Sequence, residues 1–109
     1  MTPIPKRLLI HSATLKRGKV DDGWGNLTGG TTYNLRHVRF EPTDKMITDS
    51  AGKQIQLSAI MYYDSHNSEG MGSGFQFNDE ITFLDTKYHI AIAEPLFDVK
   101  LHHYEIGLI

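Results

Sequence analysis

Apolar and polar residues alternate with a period of two along much of this chain, and nowhere do apolar residues recur at 3.6 spacing for the length of an ordinary helix. The clearest run is Ile55, Leu57, Ala59, Met61 and Tyr63, interleaved with Gln56, Ser58, Ile60 and Tyr62, which predicts a strand. Shorter runs predict others. Residues 8–15 form a first strand after an N-terminal arm, residues 1–7, that Pro3 and Pro5 keep extended. Residues 33–40 form a second, with Val38 and Phe40 on one face, His37 and Arg39 on the other, and Pro42 as its end. Residues 80–83 and 88–93 flank a turn at 84–87 and place Ile81, Phe83, Tyr88, Ile90 and Ile92 on the core side. Pro95 interrupts, and His102, Tyr104, Ile106 and Leu108 then alternate with His103, Glu105 and Gly107 in a last strand.

The intervening segments are polar. Residues 18–32 read as a long loop or loose hairpin with Trp24 as its only large apolar group, and residues 65–74 as a flexible glycine-rich loop. Residues 41–54 have only Met46, Ile47 and Ala51 to bury, which predicts a polar loop too long for a tight hairpin. Six or more short strands in 109 residues predict an all-β fold. Closure removes exposed edges, so the expectation is one domain over residues 1–109, a small mostly antiparallel β-barrel with long polar loops and one short helical turn.

Charge sharpens this picture. Residues 1–40 carry seven basic and two acidic groups, +5, whereas residues 41–109 carry four basic and eleven acidic, −7. Such a two-signed chain suits head-to-tail contact between copies, unless strands from the two segments interleave and cancel the asymmetry in space. It lacks the basic excess of a nucleic-acid backbone binder. No run approaches a membrane span of roughly 20 apolar residues, and the N-terminus has no uninterrupted apolar region like that of a secretory signal. The absence of cysteine fits a cytoplasm-like site of synthesis and removes disulfides and thiolate chemistry.

Candidate chemistry is thin. His102 and His103 are expected on opposite faces of a strand, which speaks against a shared metal ion, and His11, His37 and His89 read as surface residues. Asp64-Ser65-His66 are consecutive loop residues and do not give triad geometry, and the Gly70, Gly72, Gly74 run precedes a strand-like segment rather than a helix N-terminus. No catalytic, metal or cofactor site is expected. Tyr33, Arg36, Arg39 and Phe40 raise a rival reading as a face for single-stranded nucleic acid, set against an ordinary core Phe40 with solvated arginines. Trp24 reads either as a lid on the barrel or as an anchor for a neighbouring subunit.

Six segments in fixed order carry a resemblance: Pro3-Ile4-Pro5-Lys6-Arg7-Leu8-Leu9-Ile10-His11-Ser12, Asp22-Gly23-Trp24-Gly25-Asn26, Val38-Arg39-Phe40-Glu41-Pro42, Gly52-Lys53-Gln54-Ile55-Gln56-Leu57, Tyr63-Asp64 with Asn67-Ser68, and Lys100-Leu101-His102-His103-Tyr104-Glu105. Together they resemble the small minor capsid protein family of tailed bacteriophages. The chain departs from it at Asp22-Gly23, where acidic residues directly before the Trp are usual, and at Leu84-Asp85-Thr86, where a shorter Asn-Gly turn is usual. The resemblance implies a non-enzymatic subunit of the head-tail connector, of the stopper or head-completion type. It would be made in the host cytoplasm, monomeric in isolation, and assembled in the virion as a ring below portal and adaptor proteins and next to tail-joining proteins. Packaged double-stranded DNA would pass through that ring or be blocked in it. By position, the channel loop would comprise Thr43, Asp44, Lys45, Met46, Ile47, Asp49 and Lys53, mobile in the free subunit. The subunit interface would draw on Lys6, Arg7, Trp24, Arg36, Arg39, His103 and Glu105. A tail-associated binding module is a further rival.

Overall fold

A computed structural model describes residues 4–17, 20–21, 27–28, 30–49, 51–71, 74–97 and 100–109, with the backbone alone at 20–21 and 27–28. In chain order the strands are β1 (His11–Arg17), β2 (Val20–Asp21), β3 (Leu27–Thr28), β4 (Thr31–Pro42), β5 (Met46–Thr48), β6 (Gln54–Gln56), β7 (Ala59–Asp64), β8 (Glu80–Phe83), β9 (Thr86–Phe97) and β10 (Leu101–Leu108). Six of them close into an antiparallel barrel in the order β1-β4-β7-β10-β9-β8, while β2-β3 and β5-β6 form separate two-stranded sheets. The all-β barrel expected from the alternation is therefore the fold.

The barrel is filled. Leu15, Leu35, Val38, Met61, Ile81, Ile90, Ile106 and Leu108 are all fully buried inside it, as a six-stranded barrel requires, and they leave no lumen. Two aromatic groups flank this core. Phe40 stacks on Phe83 at 4.2 Å and leans on Tyr88, while Phe75 meets Tyr63 and Tyr104 edge-on at 5.3 and 5.2 Å. His11 is not a surface histidine: its Nδ1 accepts the Phe40 N–H at 3.0 Å and its ring packs on Phe83.

Several expectations are corrected. The alternation in β4 breaks at His37, a bulge residue with φ 56°, so that Leu35 and Val38 both point inward although three residues apart. The run from Ile55 to Tyr63 is two strands rather than one, since the chain steps out of the ladder at Leu57 and Ser58 between β6 and β7. Pro95 does not interrupt: it lies within β9, paired to Tyr104, on a stretch where no described strand pairs at its far side and a missing N–H costs nothing. Ile92 is 39% exposed and leaves the core set. The arm is not extended to residue 7, because Lys6–Leu8 form a 3-10 turn; Pro5, at φ −59° and ψ 136°, sits just before it. The turn at Leu84-Asp85 is as short as an Asn-Gly turn and holds both residues at positive φ, so the family departure there is one of residue type, not length.

Two polar hubs tie the loops down. Asp64, fully buried, accepts the N–H groups of Ile4, His66 and Asn67 at 2.9, 3.0 and 2.7 Å, and Asn67 Nδ2 donates back to the Ile4 carbonyl at 2.7 Å. Asp79 takes Arg17 at 2.7 Å and caps Gln76, while Arg17 also reaches the Gly74 carbonyl. The Asp79 carboxylate raises the Arg17 pKa despite partial burial. The glycine-rich loop is thereby partly fixed. Glu69 bridges Arg36 through both backbone bonds, and Gly70 comes so close to β4 that a Cβ there would lie 1.9 Å from the Asn34 carbonyl oxygen.

Candidate functional site

The segment from Thr43 to Lys53 is not an unpaired loop. β4 and β7 pair from Val38↔Tyr63 to Pro42↔Ala59, and the ladder goes on beyond the barrel: Thr43 donates to Ser58, Leu57 to Lys45, and then Met46↔Gln56, Ile47↔Ile55 and Thr48↔Gln54 pair in β5-β6. Thus β4 and β7 are the stem of one long hairpin whose outer part stands off the barrel. Polarity misled the sequence reading because a hairpin arm needs backbone pairing, not a buried face. Asp49 shapes the tip, its carboxylate accepting the N–H groups of Ala51 and Lys53 at 3.0 and 2.8 Å. Thr43 Oγ1 accepts the Lys45 N–H at 3.2 Å at the base. Asp44, Lys45, Met46 and Lys53 are exposed and Ile47 half-buried.

One side chain holds the arm. Leu57 is 3% exposed yet lies outside the barrel core, against Gly107 and Ile92. A Cβ on Gly107 would come within 2.9 Å of Leu57 and Ile92, so this glycine is the seat on which the arm rests. Between the arm and β9 runs a groove of about 790 Å³ lined by Ile47, Ile55, Phe77, Ala91, Ile92 and Ile109. Sequence reasoning missed Leu57 and Gly107 in this role, because the even alternation made Leu57 one more core position.

The expected interface residues divide. Lys6 and Arg7 are exposed on the 3-10 turn, close to Arg39, whose Nη1 donates to the Leu8 carbonyl at 3.3 Å. Arg39 is also paired to Glu41 at 3.1 Å. Arg36 is exposed on β4, and Trp24 lies outside the described residues. His103 Nε2 is 3.6 Å from Glu105 Oε1. In register, Arg39 of β4 faces Tyr62, Tyr62 faces Glu105, and Glu105 faces Glu94, a row across the outer wall. Burial, and after it the charges of Glu41 and Glu105, raise the Tyr62 pKa, with Arg39 opposing.

The histidine pair differs from expectation. His102 is the extra residue of a bulge between Leu101↔Phe97 and His103↔Leu96, which turns both rings to one side with their Nδ1 atoms 2.7 Å apart. One ring donates and the other accepts across that contact. Among the described residues no three His, Cys, Asp or Glu side chains converge as for a metal ion. Asp64, Ser65 and His66 do not form a triad, since the carboxylate is spent on backbone N–H groups and Ser65 Oγ donates to the Leu101 and His102 carbonyls. Phe40, 6% exposed, offers no stacking surface for a base. No helix among the described residues is long and apolar enough to cross a membrane.

No curated protein and no solved structure matches this chain. A model of the minor capsid proteins matches residues 5–108, nearly all of it. The chain belongs to the minor capsid protein family, structural components of the phage virion that assemble with other phage proteins.

Proposed function

We propose that this minor capsid protein is a non-enzymatic connector subunit of the head-tail junction, of the stopper or head-completion kind, and that the β5-β6 arm is its channel element. It forms a ring below the portal and adaptor proteins and above the tail-joining proteins. The observation that carries this reading is the arm itself: a strand-paired, mixed-charge hairpin standing off a barrel that is packed solid. A filled barrel has no passage for DNA, so a channel arises only between copies. An arm with free strand edges can pair with its neighbours' arms and so narrow or close that channel. Asp44 and Asp49 repel phosphates while Lys45 and Lys53 attract them, which suits a gate that DNA must pass without sticking.

The test is to replace residues 46–56 by Asn-Gly, closing the hairpin where Leu57 already donates to Lys45. The variant is expected to fold and enter particles that then lose their DNA. Particles that hold DNA as well as those with the unmodified protein would overturn the assignment.

A further inference from the structure

Folding cancels much of the charge asymmetry of the sequence, since Lys16 faces Glu80 in register, Arg17 pairs with Asp79, Arg39 with Glu41, and Arg36 stands across from Glu69, but Lys6 and Arg7 remain exposed without an ionic partner among the described residues. β1 and β4, both from the basic first segment, are neighbours in the barrel, and β7, β10, β9 and β8 make up the rest of the wall. In a closed order of six, β4 and β9 are three strands apart either way and so lie on opposite sides. The β4 side exposes Arg36, and the Lys6–Leu8 turn that Arg39 holds to it adds Lys6 and Arg7. On the opposite side Glu94 stands directly across the ladder from Glu105. Two like charges so placed repel, and among the described residues Glu94 has no ionic partner.

Both surfaces are also apolar in part. Ile92, 39% exposed, shares the outer face of β9 with Glu94, while Leu8, 43% exposed, belongs to the basic turn and Ile10, 66% exposed, follows it. Moreover β8 pairs with β9 only as far as His89, and Ile90 bonds to Asn78 and Asp79, so no described strand covers the far edge of β9 over residues 91–97. An edge left open beside the unpaired Glu94 and the exposed Ile92 is a surface with a missing partner.

We propose that the partner is a second copy of this chain, whose β4 side, with Lys6, Arg7 and Arg36, docks on the Glu94–Glu105 face of β9-β10. Charge complementarity selects this contact over a two-fold one, which would set Glu94 against Glu94. Two different surfaces of one subunit make a heterologous contact, which repeats around a ring if the rotation closes. The inference names the subunit contact of the connector proposed above and rests on that reading for its setting.

The chain has no native cysteine among the described residues or elsewhere. Arg36→Cys, Glu94→Cys and the double variant are therefore concentrated, mildly oxidised and run on non-reducing gels, with circular dichroism confirming the fold. The double variant is expected to give a ladder in steps of 12.3 kDa, and each single variant no more than background dimer. The ladder should weaken with salt and on adding Glu105→Lys, and recover when Lys6→Glu and Arg7→Glu are added as well. Monomer alone at the highest soluble concentration, or Glu94→Cys dimerising on its own as readily as the double variant, would overturn the contact. Cross-linking needs no phage particle. A ladder together with unchanged DNA retention in the hairpin replacement would uphold the contact and sink the channel role instead.

Discussion

The barrel and the β5-β6 arm share one hairpin, β4 to β7, but are held by different forces. In the barrel each pair of strands is locked by side chains buried on the inner face, with Met61 facing Ile106 in register and both fully buried. In the arm three residue pairs rely on backbone bonds, half-buried Ile47 and Ile55, and the Leu57 anchor at its base. Apolar burial sets global stability, whereas a two-stranded ribbon alone is marginal. The barrel is thus expected to act as a rigid mount, and the arm to open and re-pair without unfolding it.

The sharpest contrast comes from one truncation in each region. Ile106→Ala should cost on the order of 3–4 kcal/mol, as for buried isoleucines elsewhere, whereas Ile47→Ala should cost well under about 1.5 kcal/mol. Denaturant unfolding of the two variants checks this, and equal losses would make the arm part of the core.

A pH series separates the regions differently. Burial, opposed by the hydrogen bond from the Met71 N–H, raises the Tyr63 pKa, and Tyr62 is raised as described above, while residues 46–56 contain no tyrosine. A group raised in the folded state lends stability that is fully present below its unfolded pKa of about 10 and is lost as pH rises through the folded value. Melting temperature should therefore fall above about pH 10, through the barrel wall. Glu105→Gln removes one cause of the Tyr62 shift and should make that decline shallower; a steeper one would contradict the assignment.

The smallest effect concerns the β8-β9 turn. Leu84 and Asp85 occupy positive φ, and Leu84 is 81% exposed. Leu84→Asn with Asp85→Gly suits that geometry and should stabilise by about 0.5–1 kcal/mol, read as a raised melting temperature with the arm unaffected.

Much of this architecture was legible in the sequence. Period-two runs disclosed the strands and the inner face of Leu57 to Tyr63 apart from Leu57 itself, because a buried face leaves its mark on alternation. Bulges left none. His37 and His102 each insert a residue that moves side chains to another face, and only the register of the partner strand reveals them. Half of the arm was hidden for a related reason: Ile55 and Gln56 showed in the alternating run, but Met46–Thr48 pairs mainly through its backbone, which imposes little on side-chain identity. Gly107 shows the same limit, since a contact between distant segments is not written at either position alone.

Amide hydrogen exchange in the free protein tests most directly whether the arm is a separate unit of stability. Ile90, fully buried in the barrel core with its N–H donating to the Asp79 carbonyl at 2.9 Å, should exchange only through global unfolding. Asp49, whose N–H donates to Lys53 at the same distance at the arm's tip, should exchange faster by orders of magnitude and track denaturant weakly. Equal protection of the two amides, with equal denaturant dependence, would contradict the separation of mount and arm.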